Sequence, residues 1–220
     1  FVHKVDGATG VFAATWVNGH GPKAVDSAEL DTMNSYLSRF VENRPHFTGA
    51  FVTDVRGTIV ASSDPSLVGD RLGGAELYDG ARSRSVFTAS DVIKPEEEAP
   101  SFALFLQPLR WDSAAPQGFL VTRAELSTIS GVLDMSVGFP ESAKSGIFDS
   151  KGRILAGTGY EAPHPGLAAG RDISKSAVWA QTADRPTEGW FGPGLDKVQR
   201  IIFFGYPDST PWVTTVVYEQ

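Results

Sequence analysis

One motif occurs twice in the sequence, and this repeat limits the folds open to the chain more than any other feature. The segment VTDVRGTIVA at Val52–Ala61 recurs 95 residues later as IFDSKGRILA at Ile147–Ala156. The Asp, the Gly three residues after it and the final Ala are identical, and apolar positions match apolar positions. An Asp that bonds its own backbone and a Gly with a left-handed backbone form a tight turn, so each copy predicts a β-hairpin. Two copies, each opening a run of strand patterns, predict two similar modules in tandem.

The sequence after each hairpin predicts one short helix and three further strands, which gives both modules the same α+β plan. In the first module these elements cover Ala75–Arg82, Val86–Val92, Phe102–Leu109 and Gly118–Arg123. In the second module the helix begins with Asp172 as its N-cap, and the elements cover Asp172–Ala183, Gly189–Phe191, Gln199–Tyr206 and Trp212–Tyr218.

Helical patterns flank the first module on both sides. Before it, apolar spacing predicts a long helical stem over residues 1–44, whose second helix starts near Asp26 and carries a stripe of Leu30, Met33, Leu37, Phe40 and Val41. After it, a second stripe comprises Leu126, Ile129, Val132 and Leu133, and Gly138-Phe139-Pro140 is typical of a domain boundary. The predicted domains are therefore 1–44, 45–138 and 139–220.

The composition excludes several classes of protein. The 220 residues contain no cysteine, which excludes thiol catalysis, disulfide bonds and zinc–thiolate sites. A formal net charge of −7 argues against general nucleic-acid binding, which needs a basic surface. The four histidines are far apart, and no nucleophile–base motif or phosphate-binding loop occurs, so no metal, cofactor or catalytic site is predicted. No apolar run approaches the roughly 20 residues of a membrane span, and a chain that starts at Phe1 is expected to be a piece of a longer protein.

The order of these motifs resembles that of double Cache domains, also called tandem PDC or PAS-like extracytoplasmic domains. The first module carries the family's motifs at Phe51–Ser62, Val68-Gly69, Ala75–Arg82, Ser90-Asp91-Val92, Phe102–Pro108 and Gly118–Arg123. The second module carries them at Gly146–Ala156, Glu188-Gly189-Trp190, Arg200–Pro207 and Pro211-Trp212-Val213. Each motif is loose, but together they cover nearly the whole chain in the order typical of the family.

The resemblance implies both a fold and a role. The fold is α+β: a long N-terminal helical stem followed by two tandem PAS-like modules, each an antiparallel sheet flanked by helices. Such domains are the sensing regions of bacterial histidine kinases, chemoreceptors and diguanylate cyclases. The chain is therefore expected to be the periplasmic part of an inner-membrane receptor, most simply a histidine kinase, with membrane helices outside it. It is expected to bind a small molecule in the membrane-distal module, 45–138, and not to be an enzyme; 139–220 would be membrane-proximal.

The sequence departs from the family's amino-acid-binding pattern at both ends of the ligand. The pattern has Arg, Trp and Tyr in the short helix to hold the ligand carboxylate, but this stretch reads Ala75-Glu76-Leu77-Tyr78. The pattern also has an Asp at the end of the later strand to hold the ammonium, and this position is Arg123. An α-amino acid is therefore not the expected ligand. A guanidinium pairs with a carboxylate or phosphate through two parallel hydrogen bonds, so the expected ligand is a small carboxylate or another anion.

Seven residues of the first module are the expected ligand contacts. Arg123 shares a strand face with Phe119 and Val121, although pairing with Glu125 or Asp91, or an exposed strand end, would equally explain an Arg there. Tyr78 and Arg82 on the short helix are expected to form a lid over the ligand. The alternative is that this basic end of the helix is simply solvated. The strands are expected to supply further polar and aromatic contacts. The alternative is that these residues cap a turn or pack in the core. The full set is Arg123, Tyr78, Arg82, Ser90, Asp91, Phe105 and Gln107.

A second function fits the same sequence. The chain would bind no small molecule and would act as an interaction or spacer module that senses a partner protein, as a family member with a degenerate pocket would. In either case, apolar surface left over on the N-terminal helices predicts a parallel homodimer.

Overall fold

A computed structural model describes residues 27–84, 87–95, 100–110, 115–129, 143–157, 169–195, 197–208 and 210–218. The first part of the predicted stem, Val132 and Leu133 of the second helical stripe, and the predicted boundary at 138–140 lie outside these residues. The described residues form two compact units. The first unit falls within Phe1–Thr88 and Phe105–Arg123, and the second within Ala89–Leu104 and Ala124–Gln220.

The first sheet has five strands and follows one described helix, which lies in the C-terminal part of the predicted stem. The elements in chain order are α1 (Ser27–Glu42), β1 (Gly49–Asp54), β2 (Ile59–Ser62), α2 (Ala75–Arg84), β3 (Thr88–Ala89), β4 (Phe102–Leu109) and β5 (Gly118–Glu125). The strand order is β2-β1-β5-β4-β3. Strand β1 is antiparallel to both β2 and β5, and it pairs Thr53 with Phe119 and Gly49 with Arg123.

The second sheet repeats this order with a later set of strands. Its elements are β6 (Lys144–Phe148), β7 (Ile154–Gly157), α3 (Ala177–Gln181), β8 (Trp190–Pro193), β9 (Gln199–Gly205) and β10 (Val213–Tyr218). The strand order is β7-β6-β10-β9-β8, and the four pairings are all antiparallel. Two five-stranded sheets of the same topology confirm the predicted pair of α+β modules.

Both hairpins have the predicted turn chemistry. In the first, Asp54 Oδ1 accepts hydrogen bonds from the backbone N–H groups of Arg56 and Thr58, both at 2.8 Å, and Gly57 has φ +88°. In the second, Asp149 Oδ1 accepts the equivalent bonds from residues 151 and 153, and Gly152 has φ +78°. The carboxylate satisfies backbone donors that the turn leaves open, and only glycine adopts this φ without strain.

Helix α1 covers one face of the first sheet. Met33 and Leu37 from the predicted stripe form a buried cluster with strand residues, and Leu30, Phe40 and Val41 pack partly buried against it. The strand members are Ala50, Val52, Val60, Ala61 and Leu109. We call this side of the sheet the α1 face.

Two predicted elements are shorter than their patterns. Helix α3 begins at Ala177 and not at Asp172, because Ser176 Oγ accepts the Trp179 N–H at 3.1 Å and is the N-cap. Asp172 was therefore wrong as the N-cap; its carboxylate instead accepts the Ser174 N–H in a local turn. Strand β3 ends at Ala89 because Ser90 interrupts its ladder with β4: the Leu104 N–H donates to Ser90 Oγ at 2.9 Å, and the Ser90 carbonyl accepts the Trp212 indole N–H at 2.8 Å.

Candidate functional site

The face of the first sheet opposite α1 is covered by buried side chains, most of them large and apolar. Antiparallel pairing places Thr53 beside Phe119 and Phe51 beside Val121, and directly paired residues present their side chains on the same face. All four are at most 1 % exposed. Arg123 lies on this face as well, two alternations beyond Phe119, as the sequence predicted.

Tyr78 of helix α2 packs over this face, which we call the Tyr78 face. Its ring contacts Phe119 edge-on, with the ring centroids 5.6 Å apart, and it lies directly on the turn glycine Gly57. Only 1 % of Tyr78 is exposed. Glycine is therefore favoured at position 57 for a second reason besides its positive φ, because any side chain there would collide with the Tyr78 ring.

Two buried hydroxyl groups on the Tyr78 face have no hydrogen-bond partner among the described residues. They are the Tyr78 hydroxyl and Thr53 Oγ1. Thr53 lies near enough to Tyr78 to act as a hydrogen-bonding side chain that opposes the effect of burial on the Tyr78 pKa, although the two hydroxyls are not within ordinary hydrogen-bond distance. Burial dominates and raises the pKa of Tyr78, so its hydroxyl stays protonated and is able to donate.

This environment predicts a specific alkaline loss of stability. An unfolded tyrosine ionises near pH 10, whereas the folded Tyr78 keeps its proton, so the free energy of unfolding falls as pH rises above about 10. Tyr78 alone contributes a fall of up to about 1.4 kcal/mol per pH unit. Urea unfolding between pH 9 and pH 11 measures it, and Tyr78→Phe should lose this part of the slope. An unchanged slope in the variant would show that Tyr78 ionises freely in the fold.

Arg123 lies at the other end of the Tyr78 face. Its Nε donates to Thr48 Oγ1 at 3.1 Å and its Nη2 donates to the Thr48 carbonyl at 3.0 Å, so Thr48 orients the guanidinium. The pKa of Asp64 is lowered chiefly by hydrogen bonds from Ser66 and to a lesser degree by the charge of Arg123. The four residue-to-residue steps from Phe119 to Arg123 span about 13 Å of extended strand. The cation and the two hydroxyls therefore mark opposite ends of one face.

Arg82 is an exposed residue of helix α2. Its Nη2 is 3.0 Å from Asp79 Oδ1, one turn earlier, and the two side chains are 51 % and 66 % exposed. This is an ordinary surface pair along a helix, whose contribution to stability is small.

Ser90 and Asp91 make their contacts within the second unit. Ser90 Oγ accepts the Leu104 N–H at 2.9 Å, and the Ser90 carbonyl accepts the Trp212 indole N–H at 2.8 Å. The Asp91 carboxylate accepts both the backbone N–H and the hydroxyl of Ser150, at 3.0 and 2.8 Å. These bonds hold the segment after β3 against the second hairpin turn, so they give both residues a structural task.

Phe105 and Gln107 lie on the α1 face. They alternate in β4 with the same phase as Leu109, which belongs to the α1 cluster. Phe105 stacks on Phe87 and contacts Phe47 edge-on, at centroid distances of 6.2 and 6.5 Å. The structure therefore brings together only two of the seven expected contacts, Tyr78 and Arg123, on one sheet face.

Thr53 is the site residue that the sequence analysis missed. The signal for it lies in the repeat, where Thr53 aligns with Phe148. A polar residue at a position that the other copy fills with a large aromatic side chain is unusual for a buried strand. Both positions are buried in the structure, but the presence of Tyr78 above Thr53 depends on the packing of α2.

The residues that the structure describes contain neither a metal-binding cluster nor a membrane-spanning helix. No group of three or more His, Asp or Glu side chains there is arranged to hold a metal ion. Within the same residues, no helix combines the length and the apolar character needed to cross a membrane.

The sequence matches no protein-family model and no curated protein. Its fold, in contrast, is similar to solved structures. The extracellular domain of rpHK1S-Z16, a protein assigned as a histidine kinase, has a TM-score of 0.63 at 15 % identity, over 97 % of this chain and 86 % of that domain. An extracellular ligand-binding receptor from Desulfohalobium retbaense has a TM-score of 0.60 at 13 % identity, over 99 % of this chain and 38 % of the receptor.

A third similar structure comes from another class of receptor. Methyl-accepting chemotaxis protein X has a TM-score of 0.57 at 13 % identity, over 99 % of this chain and 93 % of that one. The chain thus has the fold of extracellular sensor domains, which confirms at the level of the fold the resemblance to double Cache domains.

Proposed function

We propose that the chain is the extracytoplasmic sensing region of a membrane-bound signalling receptor, most simply a sensor histidine kinase. The fold supports this, because its structural neighbours include extracellular domains of histidine kinases and a chemotaxis receptor. The chain would respond to a ligand by favouring one of two arrangements that bind the ligand with different affinity. Membrane helices outside this chain would carry the change to the output domain.

We further propose that the first unit binds a small carboxylate whose negative group contacts Arg123. The observation that carries this proposal is the Tyr78 face itself, which ends in a guanidinium oriented by two hydrogen bonds to Thr48. An oriented guanidinium binds a carboxylate with two parallel bonds and loses less side-chain entropy on doing so.

A thermal-shift screen of small carboxylates, amines, sugars and phosphates tests the ligand class. A ligand at 100 times its Kd stabilises a protein by about 2.7 kcal/mol, which raises the Tm of a chain this size by about 5–10 °C. We expect carboxylates to give such a shift and Arg123→Ala to abolish it. Arg56→Ala, which removes an exposed arginine from the first hairpin turn, is the matched control and should keep the shift. An equal shift in Arg123→Ala would remove Arg123 from the site.

The second candidate function, a module that binds a partner protein or acts as a spacer, has its own supporting observation. Phe51, Phe119 and Tyr78 are at most 1 % exposed, so these parts of the Tyr78 face are closed. Failure of every compound to raise the Tm would favour this function. The parallel homodimer predicted through the N-terminal helices stays a separate prediction, which light scattering of the purified chain would test.

A further inference from the structure

The candidate site has a structural counterpart in the second unit, because the hairpin motif occurs in both units. In each unit, an aromatic ring from the following helix lies on the turn glycine: Tyr78 of α2 on Gly57, and Trp179 of α3 on Gly152. The residue before the turn aspartate is also equivalent. It is Thr53 in the first unit and Phe148 in the second.

The second unit fills this position with apolar groups. Phe148 belongs to a buried cluster with Ile154 and Ile173, and Trp179 packs against that cluster. The Trp179 ring approaches the ideal Cβ position of Gly152 to 2.9 Å, so the contact between ring and turn is tight. A fold of this kind therefore does not need a polar group between the hairpin and the helix.

The first unit places two hydroxyl groups at the same position. Thr53 is fully buried and Tyr78 is 1 % exposed, yet neither hydroxyl has a partner among the described residues. Burying a hydroxyl without a hydrogen bond is unfavourable, and replacing both residues by apolar groups of similar shape would remove this cost. The second unit shows that such a replacement packs well. Two unpartnered hydroxyls at one buried position therefore indicate a group that is bound there.

We propose that Thr53 and Tyr78 form a neutral hydrogen-bonding subsite that binds a hydroxyl or carbonyl oxygen of the ligand. The inference rests on the proposed function, in which the first unit binds a small molecule. Each hydroxyl is able to donate one bond and accept others, so the pair suits an uncharged oxygen better than a second charge. With Arg123 at the other end of the Tyr78 face, the favoured ligand class is a hydroxy- or oxo-carboxylate.

Matched pairs of carboxylates test the subsite in the complete 220-residue chain. The pairs are malate and succinate, hydroxybutyrate and butyrate, levulinate and valerate, and oxoglutarate and glutarate, with glycerol and acetamide as neutral probes. We expect the oxygen-bearing member of at least one pair to bind about two- to tenfold more tightly, the gain typical of one neutral hydrogen bond. Thr53→Val and Tyr78→Phe should each reduce this difference, and the double variant should abolish it.

Thr215→Val is the matched control, because it removes a buried threonine hydroxyl that also has no partner among the described residues but belongs to the second unit. It should leave the difference within each pair unchanged. The ligand-free proteins add an independent readout. Thr53→Val and Tyr78→Phe should have a Tm equal to or above that of the wild type, because neither loses a structural hydrogen bond.

The possible results separate this inference from the proposed function. Equal affinity for both members of every pair overturns the subsite and leaves the carboxylate site at Arg123 standing. If only glycerol or acetamide binds, and Tyr78→Phe abolishes this binding, the subsite is supported and the proposal of an anionic ligand at Arg123 is overturned. Binding of no compound overturns both, and a ligand-free Tm lowered by several degrees in both variants shows that the hydroxyls are structural and overturns the subsite.

Discussion

Asp149→Ala is expected to lower the free energy of unfolding of the second unit by about 3–5 kcal/mol. The Asp149 side chain is 0 % exposed, and its Oδ2 accepts bonds from the Val92 N–H at 3.1 Å and from Arg153 Nε at 2.8 Å. Its Oδ1 accepts the backbone N–H groups of Lys151 and Arg153. Alanine leaves these donors without the acceptor that the fold provides. Urea unfolding followed by tryptophan fluorescence measures the loss, since Trp179, Trp190 and Trp212 all belong to this unit.

Asp54→Ala is the matched control from the first hairpin. Asp54 Oδ1 accepts the same two turn bonds, but residue 58 is Thr where the second hairpin has Arg153, and Asp54 is only partly buried. We expect a loss of about 1–2 kcal/mol, the effect of the turn bonds alone. Equal losses in the two variants would mean that the Val92 and Arg153 bonds add nothing to the stability of the second hairpin.

Gly57→Ala is expected to have the next largest effect, a loss of about 2–5 kcal/mol in the free energy of unfolding. Two costs combine. A Cβ at φ +88° is strained by about 1–2 kcal/mol, and it would also overlap the Tyr78 ring, which is fully buried and has little room to move. Thermal and urea unfolding of the purified variant measure the sum of the two.

Gly69→Ala separates the strain from the overlap. Gly69 has φ +99°, but nothing lies within 4 Å of its ideal Cβ position, so its substitution carries the backbone cost alone. The difference between the variants is then the cost of displacing Tyr78. Equal destabilisation would show that the Tyr78 ring yields without cost, and that the close packing of ring and turn glycine does not hold the tyrosine in place.

Gly57→Ala also has a consequence for binding. If the proposed subsite is correct, a displaced Tyr78 ring moves one of its two hydroxyls, and the variant should lose the preference for oxygen-bearing carboxylates. Gly69→Ala should retain that preference. The stability and binding effects of Gly57 would then have one physical origin, the contact between the turn and the tyrosine.

Local patterns predicted most of the secondary structure because local physics decides it. The turn at Asp54 formed as expected, since its bonds join residues within the same short segment. Strand β4 has the predicted bounds for a similar reason, namely the apolar content of eight consecutive residues. Helix α3 began later than predicted because two polar residues, Asp172 and Ser176, were both suitable caps, and tertiary packing selected the second.

The candidate site was predicted only in part, because it depends on contacts between distant segments. Alternation along β5 placed Arg123 on the same face as Phe119. Alternation along β4 does not show which of its side chains lie on that same side of the sheet. Phe105 and Gln107 were therefore expected beside Arg123 and lie on the α1 face instead. The role of Asp91 was not predictable for the same reason, since its hydrogen-bond partner Ser150 is 59 residues away along the chain.

By itself the sequence determined the two hairpins, their repetition and the strand patterns that build two similar sheets, because these features depend on hydrogen bonds and periodicity within a few residues. Only the tertiary structure decided that Tyr78 lies over Thr53, that Phe105 faces α1 and that Asp91 holds the second hairpin turn. Each of these is a contact between segments far apart in the chain. Such contacts depend on the order of strands in the sheet and on the packing of helices, and neither is encoded in the spacing of neighbouring residues.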